Sequence, residues 1–452
     1  MKKILSLVLV LAVLMSMAAV ALAETGVDTN AVEKEGVKYK GTVKIGSVMC
    51  ETGAVASVGV PYSQFYKLYV RYINEVLGGV GVAKGADGVG YYLDHISYDD
   101  GSDGAQGRIY MQKLVEDDEV FALVGNLGTW NIASSQDYIV EEGVPSVYWG
   151  TGSALQYYLP AEGNQRFTFP VQPIYITEGR IMLLRAMNMP AIADSGVAEV
   201  KKIGVIFSAD DSGTQIESGT KLQLDLIPED KRPEVVYVKV NTQVADEMTA
   251  QVAQLEGVDV VIIGGLQAYF NPIYTAMQAN PATRGIPTIV SYVNVAPSNI
   301  PTDLANEADT SDIYGGAWVV IDPEAQTDRQ KADIAEFINV LNWGLEKGYI
   351  TQDDYNAYSV SAYSMSSYIA VRVFMAGIDR LADKEITRDA FLEAMESARI
   401  DVPISGGVDY SNAQRIGLDG MAFAKYVKGY TDPTLAFVTV DGMKSIGDLL
   451  GE

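Results

Sequence analysis

From Thr42 onward, short β-branched runs alternate with stretches whose apolar residues fall three and four apart. Thr42 to Val48 has the character of a buried strand, broken by Gly53. Beyond Pro61, residues Phe65, Leu68, Tyr69, Tyr72, Ile73 and Val76 share one face of a helix, which Gly78 and Gly79 stop. The unit recurs as strand Tyr91–Tyr98 with helix Ala105–Glu116, then strand Val120–Val124 with helix Thr129–Glu141, then strand Val144–Tyr148. Thr129 is expected to N-cap its helix. A second run follows: strand Ile203–Phe207 and a helix after Asp210–Gly213, strand Val258–Ile263 with helix Asn271–Ala279, and strands Ile286–Val290 and Ala317–Ile321. Long amphipathic segments occupy 330–347, 360–381 and 387–398.

Strands alternating with helices predict parallel sheets covered by helices on both faces, and two successive runs predict two such lobes. The proline-containing stretch 160–172 is the expected crossing between them, and residues 24–40, polar and aperiodic, read as a loose leader. In sheets of this kind ligands bind beyond the carboxyl ends of the strands. The loops to inspect are therefore 49–54, 125–130, 148–153, 208–213, 264–269 and 291–296.

The N-terminus changes the setting. Lys2 and Lys3 precede an apolar run from Ile4 to Val20 that ends in Ala21-Leu22-Ala23, the pattern of a secretory signal peptide over 1–23. No cysteine follows the run, which excludes a lipid-modified N-terminus, and no later stretch is apolar enough to insert into a bilayer. An exported protein without disulfides is expected. The 452 residues carry 33 Lys+Arg against 58 Asp+Glu, a formal charge of −25 that repels nucleic acid and anionic lipid. One Cys and one His leave no material for a multi-cysteine zinc site or a His-rich metal site.

Two loops carry candidate binding chemistry. Gly125-Asn126-Leu127-Gly128-Thr129-Trp130 follows a strand and opens a helix, so its free N–H groups and the Thr129 hydroxyl favour an anion. Tyr148-Trp149-Gly150-Thr151-Gly152-Ser153 repeats the arrangement at the next strand. With Trp130, Tyr148 and Trp149 alongside and no Lys or Arg in either loop, the pair suits a small carboxylate on an apolar or aromatic body rather than a phosphate. The alternative is two ordinary turns that need glycine for positive φ. Asp210 and Asp211 offer an ammonium partner or a plain acidic helix start. Asp99–Gly104 resembles a calcium loop but lacks its bidentate Glu. His95 lies within a strand, Cys50 has no His close in sequence, and no nucleophile elbow or phosphate loop is present. No catalytic residue, metal or cofactor is assigned.

In this order the motifs resemble the type I periplasmic solute-binding proteins of ABC transporters, in the branched-chain amino acid (Leu/Ile/Val-binding) branch. The resemblance runs from about residue 42 to 440. It is carried by Val43-Lys44-Ile45-Gly46 with Thr52-Gly53, Ile73-Asn74 with Gly78-Gly79-Val80, Asp99-Asp100 with Asp103, Leu123-Val124-Gly125, and Gly143-Val144-Pro145. Lys202-Ile203-Gly204-Val205-Ile206, Val258-Asp259-Val260-Val261 and Gly406-Gly407-Val408-Asp409-Tyr410 complete the set.

The resemblance implies an α/β fold of two doubly wound lobes joined by three crossovers, closing on a ligand in the cleft. The first lobe would take 41–170 and 297–405, the second 171–296 and 406–452. It implies a monomer that hands a small molecule to a membrane permease and ATPase. It places carboxylate binding on Thr129, flanked by Gly128 and Trp130, and on Gly150, Thr151 and Ser153, with Tyr148 and Trp149 beside them. The second lobe would contribute Asp211, Ser212, Leu266 and Asn294. Several family features differ. Ser212 and Leu266 stand where tyrosines are expected, neither Val293 nor Asn294 is the acidic ammonium anchor, the paired cysteines are missing, and 81–90 looks inserted. These differences, with the aromatic loop residues, point to a bulkier body than an ordinary α-amino acid. The alternatives are a sensory module of the same fold serving a separate receptor, and a secreted hydrolase, which would need His95 as its base.

Overall fold

A computed structural model describes residues 26–81, 88–381 and 384–451. The expected signal peptide over 1–23, and residues 82–87 of the expected insertion, lie outside the described residues.

Strand Thr42–Met49 pairs in parallel with Tyr92–Asp99 on one side and Ala122–Leu127 on the other, and Ser146–Gly150 and Thr168–Phe169 extend the sheet in the same direction. Parallel neighbours need crossovers, and helices Ala56–Glu75, Gly104–Glu116 and Thr129–Glu142 supply them. The first of these helices begins before Pro61 rather than after it. A proline inside a helix removes one backbone hydrogen bond, and the buried face of Phe65, Tyr66, Tyr69 and Ile73 holds the helix in place. Residues 24–40 are not a loose leader where they are described. Val27–Asp28 pairs antiparallel with Thr42 and Val43, and Val32–Lys34 and Val37–Tyr39 form a hairpin. Glu35 and Gly36 make its turn with φ of 49° and 80°, the left-handed pair of a type I′ two-residue hairpin loop.

The second sheet runs in the order Glu234–Val240, Lys202–Ser208, Val260–Gly264, Thr288–Val290, Ile313–Ala317, Gly420–Tyr426, Phe437–Ser445. Its first five strands are parallel and its last two form an antiparallel hairpin. The strand expected at Ala317–Ile321 is Ile313–Ala317. The apolar run is continuous through both halves, and only its first half pairs with neighbouring strands, Thr288–Val290 and Gly420–Tyr426. Trp318 to Val320 leave the sheet as a buried crossing, with the Val320 N–H donating to the Ile404 carbonyl at 3.0 Å. The first lobe therefore takes the chain up again after this strand rather than at 297. Helices Asp328–Lys347, Ala362–Asp379 and Arg388–Glu396 pack there, with Phe65 and Phe337 rings 4.5 Å apart and Phe121 and Phe391 5.6 Å apart. The chain thus passes between two lobes three times, near 170, 318 and 402–420.

Candidate functional site

The carboxyl ends of the parallel strands of both sheets meet across a cleft whose empty space, about 840 Å³, runs out into solvent. Five of the six loops picked out from the sequence line it, through Cys50, Leu127 to Trp130, Tyr148 with Gly150, Leu266 with Gln267, and Tyr292 to Ala296 around Asn294. The loop 208–213 does not.

At the first-lobe end lies a cluster of hydroxyls. The cap of helix Thr129–Glu142 is Gly128, with φ of 104° and no side-chain bond, and not Thr129. Thr129 is the first helical residue, which frees its hydroxyl. Its Oγ1 sits 2.7 Å from Thr151 Oγ1, and both threonines bear on the Tyr175 hydroxyl. Ser153 supports the cluster from behind: its N–H donates to Thr151 Oγ1 at 3.2 Å, and its own Oγ accepts from the Leu155 N–H at 3.3 Å. Gly152 must be glycine, because a Cβ there would stand 2.6 Å from the Tyr175 ring and 2.7 Å from the Tyr292 hydroxyl.

The walls are aromatic. Tyr148 holds φ at 58° inside its strand, opposite Gly125 at 78° on the neighbouring strand, and the ladder skips both residues. A left-handed tyrosine costs roughly 1–2 kcal/mol. The kink directs Tyr148 into the cleft against Tyr62 and Trp318, with ring centroids 6.4 and 6.3 Å away. The Tyr148 hydroxyl donates to Gln172 Oε1 at 2.7 Å, Gln172 Nε2 donates to the Tyr292 hydroxyl at 2.8 Å, and that hydroxyl donates to the Pro173 carbonyl at 3.0 Å. Burial pushes the Tyr62, Tyr148, Tyr175 and Tyr292 phenols up, so all are neutral.

The other expected site residues are placed as follows. Trp130 lines the cleft, and its Nε1–H donates to Asp100 Oδ2 at 3.0 Å. Trp149 does not: successive strand side chains alternate faces, and it packs behind the sheet with Ile132 and Ile139, its Nε1–H on Ser146 Oγ at 2.7 Å. Leu266 lines the cleft. Asn294 is buried in the lining loop but turns its amide to the Gly265 carbonyl at 3.0 Å, outside the wall. Asp211 is exposed in the first turn of its helix, and Ser212 is buried with its Oγ on Asp210 Oδ1 at 2.6 Å. Asp210 also accepts from Ser208 Oγ and the Gly213 N–H, so this loop is a helix cap, away from the cleft.

The calcium-like loop is likewise internally satisfied. Asp99 accepts from the N–H groups of Glu51, Thr52 and Gly101, Asp100 from Trp130 and the Ser102 N–H, and Asp103 from the Ala105 N–H. Ser47 Oγ lies 2.7 Å from His95 Nε2. Ser47 is fully buried, the imidazole lies 4.4 Å from the Tyr66 ring, and neither residue lines the cleft. Burial, then the nearby Asp100 and Asp99 charges, push the Cys50 thiol up to about 12, which leaves it an inert part of the wall.

A family model described as periplasmic binding protein matches residues 42–431. The chain belongs to the periplasmic binding protein family. Solved structures share the fold at low identity. One is a leucine binding protein from Thermotoga maritima, 14% identical, with a TM-score of 0.63 over 89% of this chain and 99% of that one. Another is a fatty acid ABC transporter substrate-binding protein from Thermomonospora curvata, 15% identical, with a TM-score of 0.65 over 89% and 92%. A third is an ABC transporter substrate-binding protein from Aeropyrum pernix, 16% identical, with a TM-score of 0.66 over 90% and 96%. No curated protein matches the sequence.

In this periplasmic binding protein the second lobe contributes residues that sequence spacing did not reveal. Gln267 Nε2 donates to the Tyr363 hydroxyl at 3.1 Å, and Asn299 Nδ2 reaches the same oxygen at 3.4 Å. Tyr363 belongs to a first-lobe helix, so these bonds join the lobes, as does the Ala154 N–H on Gln215 Oε1 at 2.8 Å. Tyr175 and Tyr292 supply the aromatic surface expected near Ser212 and Leu266. Tyr292 sits in a loop already picked out, whereas Tyr175, Gln172 and Tyr363 carry no local signal.

Behind Tyr292, Glu178 is fully buried and accepts from the Tyr292 N–H at 2.6 Å and from Ser291 Oγ at 3.0 Å. Burial pushes its carboxyl from 4.5 up to about 8. Between those values the folded protein holds a proton that the unfolded chain releases. The contribution of Glu178 to stability is therefore greatest below pH 4.5, falls as pH rises, and levels off above about 8. Glu178→Gln is expected to abolish this fall, so the urea midpoint of the variant minus that of wild type grows between pH 5 and 9. A difference that stays constant across that range would refute the assignment.

Proposed function

We propose that this protein is the extracytoplasmic solute-binding component of an ABC importer, exported by the signal peptide over 1–23. Its cleft holds a small ligand through a carboxylate on an apolar or aromatic body, an amino acid or related organic acid. The observation that carries this reading is the hydroxyl cluster of Thr129 and Tyr175, backed by Thr151, at a helix N-terminus in a cleft whose remaining walls are uncharged and mostly aromatic and aliphatic. An incoming carboxylate accepts from these hydroxyls and from the N–H groups of the first helical turn, which have no partner within the helix. Its body replaces water against Tyr62, Tyr148, Trp130 and Trp318. The leucine and fatty acid named for two structural relatives share this chemistry, a carboxylate on an apolar body.

Binding residues come from both lobes, so the ligand contacts more of the protein when the lobes are together. It shifts the population toward closure by that difference in affinity. The inter-lobe bonds of Tyr363 and Gln215 support closure as a low-energy arrangement. Trp130 and Trp318 both line the cleft, so a saturable change in tryptophan emission is expected on titration. The panel is branched-chain and aromatic amino acids with their organic-acid counterparts. No change across the whole panel would sink the proposal.

A further inference from the structure

We infer that the cleft selects a carboxylic acid without an ammonium group, an aliphatic or aromatic monocarboxylate, over the α-amino acid of the same skeleton. The inference rests on the carboxylate reading above and sharpens it. Among the described residues, every side chain lining the cleft is uncharged. The acids behind its walls are turned away and occupied, and Asp322, in a neighbouring cavity that shares Tyr292, Val295, Trp318 and Ala362 with the cleft, accepts from the Glu324 and Thr439 N–H groups. Asp100 lies behind Trp130 and binds its Nε1–H and the Ser102 N–H, Glu178 lies behind Tyr292 and binds its N–H and the Ser291 hydroxyl, and Asp210 caps a helix. Burial also raises the Glu178 carboxyl to about 8, so at neutral pH it is mostly protonated and lends little negative charge.

The neutral polar groups are matched to an anion. Gln172 Oε1 is filled by the Tyr148 hydroxyl, and the Tyr292 hydroxyl accepts from Gln172 while giving its proton to Pro173. Tyr363 accepts from Gln267 and Asn299, which leaves its own proton to donate. Together with the Thr129 and Tyr175 hydroxyls in the wall and Thr151 against them, the cleft offers hydroxyl donors to an anion and no opposite charge to a cation. A carboxylate is well served by such a site, whereas an ammonium would lose its water without gaining an opposite charge.

The test is calorimetry on the full processed chain, freed of carried ligand by unfolding and refolding, with two matched pairs: 3-phenylpropanoate against L-phenylalanine, and 4-methylpentanoate against L-leucine. The acid of a pair is expected to bind at least about 100-fold tighter than its amino acid, since an unpaired buried ammonium is heavily penalised. Leu266→Glu places a carboxylate on the second-lobe wall and is expected to narrow that ratio at least about tenfold. Amino acids binding as tightly as their acids, or a ratio untouched by Leu266→Glu, overturns the inference and leaves the carboxylate site standing. Binding by none of the four compounds overturns the carboxylate reading itself, and the inference with it.

Discussion

Thr129→Val is expected to weaken binding of the carboxylate ligand by about 10- to 100-fold with the fold intact. A hydrogen bond to a charged group contributes roughly 1.5–3 kcal/mol, and each 1.4 kcal/mol is tenfold in affinity. Valine keeps the shape and β-branching of threonine and deletes only the hydroxyl. That hydroxyl's partners in the protein are other hydroxyls of the same cluster, Thr151 at 2.7 Å and Tyr175, so the melting transition should barely move. Thr129→Ser restores the donor and should recover most of the affinity. Calorimetry with the tightest-binding acid, alongside thermal melts, makes the check. Unchanged affinity in the valine variant would remove Thr129 as the anchor.

Arg415→Met is expected to cost about 3–5 kcal/mol of stability, the range found when one partner of a buried ion pair is removed. The Arg415 side chain is fully buried, lies 2.6 Å from Glu396, and donates to the carbonyls of Arg166, Tyr410 and Gln414. Its guanidinium sits 5.0 Å from the Phe169 ring centroid and 5.4 Å from that of Tyr410. Backbone bonds between Tyr158 and Arg415 tie this last crossing to the first lobe. Methionine keeps the apolar stem and leaves four acceptors short of a donor, Glu396 among them. By contrast Lys201→Met, which removes an exposed pair with Glu199, should leave stability nearly unchanged. Guanidinium unfolding of both variants distinguishes the cases. A loss below about 1 kcal/mol for Arg415→Met would mean that Arg166, which also pairs with Glu396, neutralises that carboxylate unaided.

Much of the frame was legible in local pattern. The strand at Thr42–Met49, the helix at Gly104–Glu116 with its Asp103 cap, and the strand at Lys202–Ser208 lie within a residue or two of their expected places. Short-range sterics and burial periodicity act over a few residues, so a single sequence displays them. The errors fall where one pattern admits two outcomes. The apolar run after Ile313 serves equally as strand or buried crossing, and Pro61 reads as a helix start although it sits inside the helix. Parity gave no choice between Tyr148 and Trp149 either. The ladder skip at Gly125 and Tyr148 goes with the side that faces the ligand.

By itself, the sequence determined two lobes of alternating strand and helix, the loops at their strand ends, and the threonine-bearing, glycine-rich turns at Gly128–Thr129 and Gly150–Thr151. Only the tertiary structure decided what completes the site. Gln172 meets Tyr292 across 120 residues of chain, and Gln267 meets Tyr363 across 96. Such contacts depend on how two separately folded sheets dock, which no local periodicity encodes. The same docking left the cleft lined by uncharged side chains, with Asp100 and Glu178 turned to protein donors behind Trp130 and Tyr292.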